Sequence, residues 1–264
     1  MSHCKLYIVE GLPFSGKSTT SRRIAEELRR RGHSVAYCDE GSRDHPADYE
    51  FHAFLTESQL SALDADGLHP IAEPVPGGLV LPLAQLEPEW QQRLLPFKIY
   101  DGLPWSVERP LMLRRWQQWA EAAAAKDEIS VFNCVFLQNP LCETMMRFHL
   151  PDATVFGYIS EIHDILRPLN PSVVYLKTRD VTTRLTEAAR ERDSGWLNAV
   201  IDYHTGQGYG KAHGLVGFDG YVACLEARQR RELDVLNALD IRRLILTDPF
   251  RNWDAALAEL FEQL

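Results

Sequence analysis

A glycine-bearing turn near the start of the sequence has the residue types and spacing of a phosphate-binding loop. It reads Gly11-Leu12-Pro13-Phe14-Ser15-Gly16-Lys17-Ser18 and matches the pattern GxxxxGK[ST] at every fixed position. Glycines let the backbone wrap around phosphate, Lys17 offers a cation to the β- and γ-phosphates, and the Ser18 hydroxyl can bind Mg²⁺. ATP and Mg²⁺ are therefore the expected ligands. The residues predicted to hold them are Gly11, Pro13, Ser15, Gly16, Lys17, Ser18 and Thr19, with Ser18 as metal ligand and Lys17 also catalytic.

The elements on either side of this loop support that interpretation. An apolar, β-branched pattern over Lys5–Glu10 predicts a strand before it, and apolar residues at helical spacing from Ser18 to Arg31 predict a helix after it. The N-terminus of that helix adds about half a positive charge at the loop. The motif thus stands in the structural context that phosphate binding requires.

Two adjacent acids, Asp39 and Glu40, follow the second predicted strand, Ser34–Cys38. Ligands of open α/β sheets bind at the carboxyl edge of the strands, so an acid there can orient and deprotonate an acceptor hydroxyl. We predict Glu40 as the base in preference to Asp39. The alternative is a solvated turn, because acids are common in turns.

Two arginines, Arg190 and Arg192, lie about one helix length after the fourth predicted strand. They could fold over the phosphates and stabilise the transferring charge, although ion pairing with Glu187 on the same helix explains them almost as well. Phosphoryl transfer needs water to be excluded. Residues 181–220, which include the mobile-looking, glycine-rich Gly206–Gly220, are therefore predicted to form a lid.

Strand-like and helix-like segments alternate along the chain. This pattern predicts the three-layer α/β fold of P-loop NTPases, with a five-stranded parallel sheet covered by helices on both faces. The remaining predicted strands are Ile129–Leu137, Val173–Leu176 and Arg242–Leu246. The remaining predicted helices are Pro110–Lys126, Cys142–Phe148, Val155–Leu166, Val181–Arg192, Leu197–His204, Val222–Leu239 and Trp253–Leu264.

Residues 42–104 interrupt this alternation. Eight of the chain's 15 prolines lie there, and short helical patterns occur at Ser58–Asp64 and Glu87–Leu95. Connections of this length are uncommon without a function. We therefore predict a large helical insertion that binds the acceptor, within a single domain spanning residues 1–264; a surface insertion without a function is the alternative.

Composition excludes several other classes of protein. The formal charge of −9 disfavours a nucleic-acid partner, and no run of about 18 apolar residues exists to span a membrane. The first apolar run leads directly into the motif, so we predict a strand there and no signal peptide. Five cysteines without a CxxC pair predict a reduced, cytoplasmic protein, and nine histidines without HExxH spacing argue against zinc. The oligomeric state stays open, a homodimer included.

The first strand, loop and helix, the acids after strand two, the arginines after strand four and the closing strand and helix resemble the nucleoside and nucleotide kinase group of P-loop phosphotransferases. The element order is similar to that of thymidylate kinase. The resemblance covers roughly the first 40 and the last 90 residues. It implies that Glu40 or Asp39 acts on the acceptor and that a lid carries Arg190 and Arg192.

The chain departs from this group in its third strand, where the group usually carries an acid and this sequence has Asn133. Glu143 or Glu161 could supply the missing carboxylate. Gln138 and Asn139, after the same strand, could hydrogen-bond an acceptor or could be a plain polar strand end.

The function that these patterns favour is transfer of the γ-phosphoryl of ATP to a hydroxyl of a small molecule, either a nucleoside-like metabolite or an antibiotic. A regulatory ATPase that uses NTP and a non-catalytic nucleotide-binding module are the alternatives. No [NT]KxD guanine motif is present to favour a GTP switch.

Overall fold

The structure, a computed structural model, describes residues 4–190 and 194–264. Within these ranges the chain forms two compact units. One contains the residues up to Glu40 together with Ala120–Leu264, and the other is the continuous stretch Gly41–Trp119. The predicted insertion, residues 42–104, falls inside the second unit.

The described strands are, in chain order, β1 (Leu6–Gly11), β2 (Val35–Cys38), β3 (His52–Leu55), β4 (Glu73–Val75), β5 (Gly78–Pro82), β6 (Ile129–Asn133), β7 (Ser172–Lys177) and β8 (Arg242–Thr247). The described α-helices are α1 (Lys17–Arg30), α2 (Glu57–Ala62), α3 (Pro88–Leu94), α4 (Ile99–Gly102), α5 (Trp105–Ala124), α6 (Gln138–Leu141), α7 (Asp152–Leu166), α8 (Val181–Arg190), α9 (Ser194–Thr205), α10 (Gly208–Ala212), α11 (Gly217–Ala238) and α12 (Trp253–Gln263). A π-helical turn, Cys142–Arg147, follows α6 directly.

The first unit contains a five-stranded parallel sheet with the strand order β2-β6-β1-β7-β8. The central strand, β1, pairs Leu6 with Ser130 of β6 and Tyr7 with Ser172 of β7. All six of its residues are buried, as expected for a strand that is covered on both faces. The predicted parallel sheet is confirmed.

Helices cover both faces of this sheet. On one face Leu28 of α1 and Leu260 of α12 pack in one apolar cluster with Val174 of β7. Side chains alternate along a strand, so the next residue, Tyr175, points to the other face. Its hydroxyl donates a 2.5 Å hydrogen bond to Glu232 of α11 there. The predicted three-layer arrangement is therefore confirmed as well.

The strand predicted at Ile129–Leu137 is shorter in the structure, because β6 ends at Asn133. Cys134 has a φ of 70°, a left-handed conformation that a strand does not continue through. The apolar residues that follow, from Val135 to Leu137, are buried in a turn that leads into α6. The apolar run correctly indicates burial, and the strand prediction is wrong over its last four residues.

The Gly41–Trp119 unit contains a sheet that the sequence analysis did not predict. Strands β3, β5 and β4 form an antiparallel sheet in that order, and its own apolar cluster includes Leu60 and Leu81. A two-residue turn, Pro76-Gly77, joins β4 to β5, and Gly77 supplies the φ of 88° that this turn needs. Helices α2 and α3 lie where short helices were predicted. The predicted helical insertion is therefore a mixed α and β unit.

One helix boundary also differs from the prediction. Helix α5 begins at Trp105, so Pro110 is its sixth residue and does not lie in the first turn. The segment Gly206–Gly220 contains α10 and the start of α11, and its mobility stays a prediction. Among the described residues, no helix has the length and apolar character needed to cross a membrane.

Candidate active site

The phosphate-loop motif connects β1 to the first turn of α1, as the sequence predicts. Gly11 and Gly16 have φ values of 143° and 99°, which glycine adopts at little cost. A Cβ at Gly11 would lie 2.6 Å from the carbonyl oxygen of Leu176, and one at Gly16 would lie 2.3 Å from a ring carbon of Trp253. Phe14, between the two glycines, has a φ of 65°. Such left-handed non-glycine residues are costly and cluster at functional sites.

Two polar side chains of the loop are buried. Lys17 is 5% exposed, and its Nζ donates a 2.9 Å hydrogen bond to the carbonyl oxygen of Leu12 in the same loop. Ser15 is 1% exposed, and its Oγ has no hydrogen-bond partner among the described residues. A buried ammonium and an unsatisfied buried hydroxyl are both costly in an apolar environment. Phosphate oxygens would satisfy both groups, so the loop fits a phosphate ligand.

Asn133, at the end of β6, joins the phosphate loop to the acids after β2. Its Nδ2 donates hydrogen bonds of 3.1 Å to Ser18 Oγ and 2.7 Å to Asp39 Oδ1. Its Oδ1 accepts a hydrogen bond of 3.0 Å from the thiol of Cys134. Strands β2 and β6 are parallel neighbours, so both end at the same edge of the sheet. The cluster of Ser18, Asn133 and Asp39 therefore follows directly from the strand order.

Two opposing effects set the charge of Asp39. Partial burial raises the pKa of this carboxyl, but the hydrogen bonds from Asn133, the Glu40 N–H, Tyr37 and Ser18 outweigh it and leave the pKa below its usual value. Asp39 is therefore ionised at neutral pH. A carboxylate beside a hydroxyl presents the hard oxygen ligands that Mg²⁺ prefers, so Asp39 and Ser18 fit this metal.

Glu40 and Gln138, two side chains predicted at the sheet edge, are in direct contact. Glu40 is exposed, and its Oε1 accepts a 2.7 Å hydrogen bond from Nε2 of Gln138. Gln138 is buried at the start of α6, and its Oε1 has no hydrogen-bond partner among the described residues. The side-chain amide of Gln138 thus holds the exposed carboxylate of Glu40 in place, while its own buried Oε1 stays available to accept a hydrogen bond.

Sequence reasoning missed Glu10, the last residue before Gly11. This side chain is fully buried, and its two oxygens accept hydrogen bonds from the backbone N–H groups of Phe136, Leu137 and Gln138 at 2.8, 2.9 and 3.1 Å. The available signal was an acid inside an otherwise apolar strand, since buried carboxylates are rare unless they are paired or hydrogen-bonded.

Sequence reasoning also missed Arg184, on α8. Its Nε donates a 2.9 Å hydrogen bond to the carbonyl oxygen of Phe14 in the phosphate loop, and its guanidinium lies 4.9 Å from the ring centroid of Phe250. Arg190 is exposed at the end of the same helix. Arg192 lies outside the described residues. The arginine of α8 that contacts the loop is thus one turn or more before the predicted pair.

The remaining predicted residues are placed as follows. Pro13 is half-buried in the loop and Thr19 is exposed in α1. Glu143 is buried and forms a 2.6 Å ion pair with Arg147, and Glu161 is exposed on α7. The carboxylate that the structure links to Ser18 is therefore Asp39. Within the described ranges, no group of three or more His, Cys, Asp or Glu side chains could hold a metal ion.

Comparison with known proteins gives structural neighbours only. No family model and no curated protein sequence matches the chain. One similar solved structure is thymidylate kinase from Candida albicans, with 13% identity, a TM-score of 0.43, and coverage of 98% of this chain and 91% of that chain. Another is deoxyadenosine kinase from M. mycoides with bound dATP, with 12% identity, a TM-score of 0.41, and coverage of 97% and 98%.

Proposed function

We propose that this protein transfers the γ-phosphoryl group of ATP to a hydroxyl group of a small molecule. The observation that carries the proposal is the pair of hydrogen bonds from Asn133 to Ser18 and Asp39. These bonds tie the hydroxyl of the phosphate loop to an ionised carboxylate at the carboxyl edge of the sheet, where ligands of such sheets bind. A hydroxyl beside an ionised carboxylate is the arrangement that Mg²⁺-dependent phosphoryl transfer needs, and this supports the proposal.

The donor side of the site is the phosphate loop. The backbone amides of Ser15 and Gly16, with the N-terminus of α1, would hold the phosphates, and Lys17 would exchange its bond to Leu12 for the β- and γ-phosphates. Mg²⁺ bound at Ser18, with Asp39 beside it, would neutralise charge on the transferring group. Asn133 keeps the hydroxyl and the carboxylate close enough to act on one ion.

The acceptor side is assigned to Glu40. Its carboxylate is exposed and held by Gln138, whereas Asp39 points back to the phosphate loop. In the transfer, the acceptor oxygen forms a bond to the γ-phosphorus, the bond to the bridging oxygen of ADP breaks, and the acceptor proton passes to Glu40. The two acids therefore have different roles: Asp39 binds Mg²⁺ with Ser18, and Glu40 accepts the proton of the acceptor hydroxyl.

The proposal also covers the lid, the selection of the acceptor, and the location and partners of the protein. Residues 181–220 would form the lid, from which Arg190 and Arg192 would stabilise the transferring charge. The insertion at residues 42–104 would select the acceptor, which we place among nucleoside-like metabolites and hydroxylated antibiotics. We also propose a cytoplasmic location and no nucleic-acid or membrane partner.

The test is a transfer assay with Mg²⁺ and γ-labelled ATP against a panel of nucleosides, nucleotides and hydroxylated antibiotics. The wild type is expected to label one class of acceptor. Lys17→Ala is expected to reduce that labelling by at least about a hundredfold, since it removes the cation at the transferring phosphate. Lys126→Ala is the matched control, because its side chain is exposed and its backbone oxygen accepts from Lys5, which precedes β1 at the end opposite to the loop.

Other results would contradict the proposal. Release of free phosphate with no labelled acceptor would identify a regulatory ATPase. ATP binding with neither release nor transfer would identify a nucleotide-binding module.

A further inference from the structure

A buried carboxylate connects the phosphate loop to the acceptor side of the site. Glu10 precedes Gly11, the first residue of the loop, and is 0% exposed. Its Oε1 accepts from the N–H groups of Phe136 and Leu137, and its Oε2 accepts from that of Gln138. The side chain of Gln138 in turn donates to Glu40. A chain of hydrogen bonds therefore runs from the strand before the phosphate loop to the acid proposed as the base.

We propose that Glu10 is a positioning residue that fixes the turn at residues 136–138 and thereby holds Gln138 against Glu40. The inference rests on the proposed function for its effect on transfer, but not for the structural arrangement itself. Glu10 does not touch a substrate; it acts through Gln138. Its role is to give the exposed Glu40 carboxylate a defined place relative to the phosphate loop.

The turn has a specific need for this carboxylate. Cys134 has left-handed backbone geometry, so the chain leaves β6 abruptly and its next amides cannot join the sheet ladder. Buried N–H groups without partners are costly, and two carboxylate oxygens offer enough lone pairs for all three. A glutamine could not replace the carboxylate, because its NH₂ group would face a backbone N–H donor. The position therefore requires an acceptor on both branches.

The protonation state of Glu10 offers a way to observe this role. Burial raises its pKa to about 7, against the opposing hydrogen bond from the Leu137 N–H, and the Glu232 carboxylate adds to the increase. Tyr175 of β7 and Cys134 also interact electrostatically with it. A protonated Glu10 carries a hydrogen on one oxygen and must release at least one of the three amides. The turn should therefore loosen as pH falls through about 7.

The first test compares Glu10→Gln with the wild type by amide hydrogen exchange at residues 136–138. We expect protection in Glu10→Gln to fall by about tenfold or more, which is the effect of losing one hydrogen bond to a charged acceptor. Glu27→Gln is the matched control, because it removes another carboxylate of low exposure, 8%, whose oxygens accept hydrogen bonds from Arg30 and Arg31 at the C-terminal end of α1. Equal protection in Glu10→Gln and wild type would overturn the proposal.

The second test needs no variant and covers the case in which Glu10→Gln does not fold. Exchange of the same three amides in the wild type, corrected for the intrinsic pH dependence, is measured from pH 5.5 to 8.5. Protection is expected to be high at pH 8 and to decline through about pH 7. Protection that stays constant over this range would also count against Glu10.

The third test links the turn to transfer by a double-mutant cycle with Gln138→Ala. Each single variant should lower kcat about tenfold with little change in KM for ATP, and the double variant should be no slower than either, since both break one connection. Additive losses would exclude action through Gln138. If no acceptor is labelled by any variant or by the wild type, the proposed function fails while the exchange measurements still decide the arrangement at Glu10.

Discussion

The indole ring of Trp253 lies against the backbone of Gly16, so close that a Cβ at Gly16 would come within 2.3 Å of a ring carbon. Trp253 is the first residue of α12, and the side chain of Asn252 caps that helix by accepting from the Ala255 N–H at 3.2 Å. The last helix of the chain therefore packs on the second glycine of the phosphate loop. The shape of the proposed nucleotide site therefore depends on residues nearly 240 positions apart in sequence.

This contact predicts the behaviour of Gly16→Ala. The added methyl group meets the Trp253 ring, and alanine at a φ of 99° is strained whatever the space. We expect the Kd for ATP, measured by calorimetry, to rise at least about tenfold, which corresponds to roughly 1.4 kcal/mol. Trp253→Ala in the same background should recover part of the affinity, because it removes the collision and leaves the strain. Normal binding by Gly16→Ala alone would contradict this account.

Asn133 predicts a change in the response to Mg²⁺. Asn133→Asp would place a second carboxylate at the position from which the amide donates to Asp39 at 2.7 Å, and like charges so close repel. Without metal, we expect the Tm of Asn133→Asp to be lower than that of the wild type and to rise by about 4 °C or more when Mg²⁺ is added. We also expect its half-saturating Mg²⁺ concentration for transfer to be lower than that of the wild type. The comparison variant Asn133→Ala should lose Mg²⁺ affinity. A Tm of Asn133→Asp that does not respond to Mg²⁺ would exclude Ser18 and Asp39 as the metal site.

Arg184 and Arg190 provide a matched pair on one helix. Arg184 donates to the Phe14 carbonyl, so Arg184→Ala should weaken ATP binding about tenfold, the usual effect of a hydrogen bond from a charged donor. Arg190→Ala should leave ATP binding within about twofold, since Arg190 is exposed at the end of the helix, and should lower kcat instead if the lid prediction is right. Binding titrations and single-turnover rates separate the two effects. Equal losses of affinity in both variants would mean that Arg184 has no special position.

His204 predicts a pH dependence of stability. Burial, and then the nearby Arg228, lower the pKa of this imidazole from 6.5 to about 3. In the unfolded chain the ring takes up a proton near pH 6.5, whereas in the folded protein it stays neutral down to about pH 3. The contribution of His204 to the free energy of unfolding is therefore fully present above pH 6.5 and is lost progressively as pH falls from 6.5 towards 3. One such group contributes a slope of about 1.4 kcal/mol per pH unit.

The variant His204→Phe tests this slope by urea unfolding at several pH values. Phenylalanine keeps the ring that stacks on Tyr221 at 5.1 Å and cannot be protonated. We expect the variant to lose less free energy of unfolding than the wild type between pH 6.5 and 4. Tyr221→Phe, which keeps the stacked ring and leaves the imidazole of His204 in place, is the control and should keep the wild-type slope. An unchanged slope in His204→Phe would show that its imidazole is not held neutral.

The phosphate loop and the sheet could be predicted from the sequence because their signals are local. The loop is a contiguous motif, and each strand of the sheet is a short apolar run between a turn and a helix. The hairpin at Pro76-Gly77 was missed because only its second strand has a strand-like sequence, the apolar run Leu79–Leu81, whereas the first strand, Glu73–Val75, contains a glutamate and a proline. The many prolines of residues 42–104 favoured an irregular interpretation over that signal.

The contacts between elements could not be predicted in the same way. That Asn133 binds both Ser18 and Asp39 depends on β6 lying between β1 and β2, an order that no single segment encodes. The same holds for Glu10, whose three amide partners lie more than 120 residues further along the chain. Arg184 was passed over for Arg190 because spacing along a helix does not tell which turn faces the phosphate loop.

The strand order also has a consequence for how the protein is made. The central strand is complete when residue 11 has been synthesised, yet its partners begin at residues 129 and 172. At a synthesis rate of about 5–20 residues per second, on the order of ten seconds pass between the synthesis of β1 and that of β6, the first strand that can pair with it. During this time the apolar residues of β1 and the carboxylate of Glu10 have no folded surroundings. Pairings this distant also make folding slow. A nascent or truncated chain that ends before β6 therefore contains the whole GxxxxGK[ST] motif, but it lacks the neighbouring strands that bury β1 and position the loop.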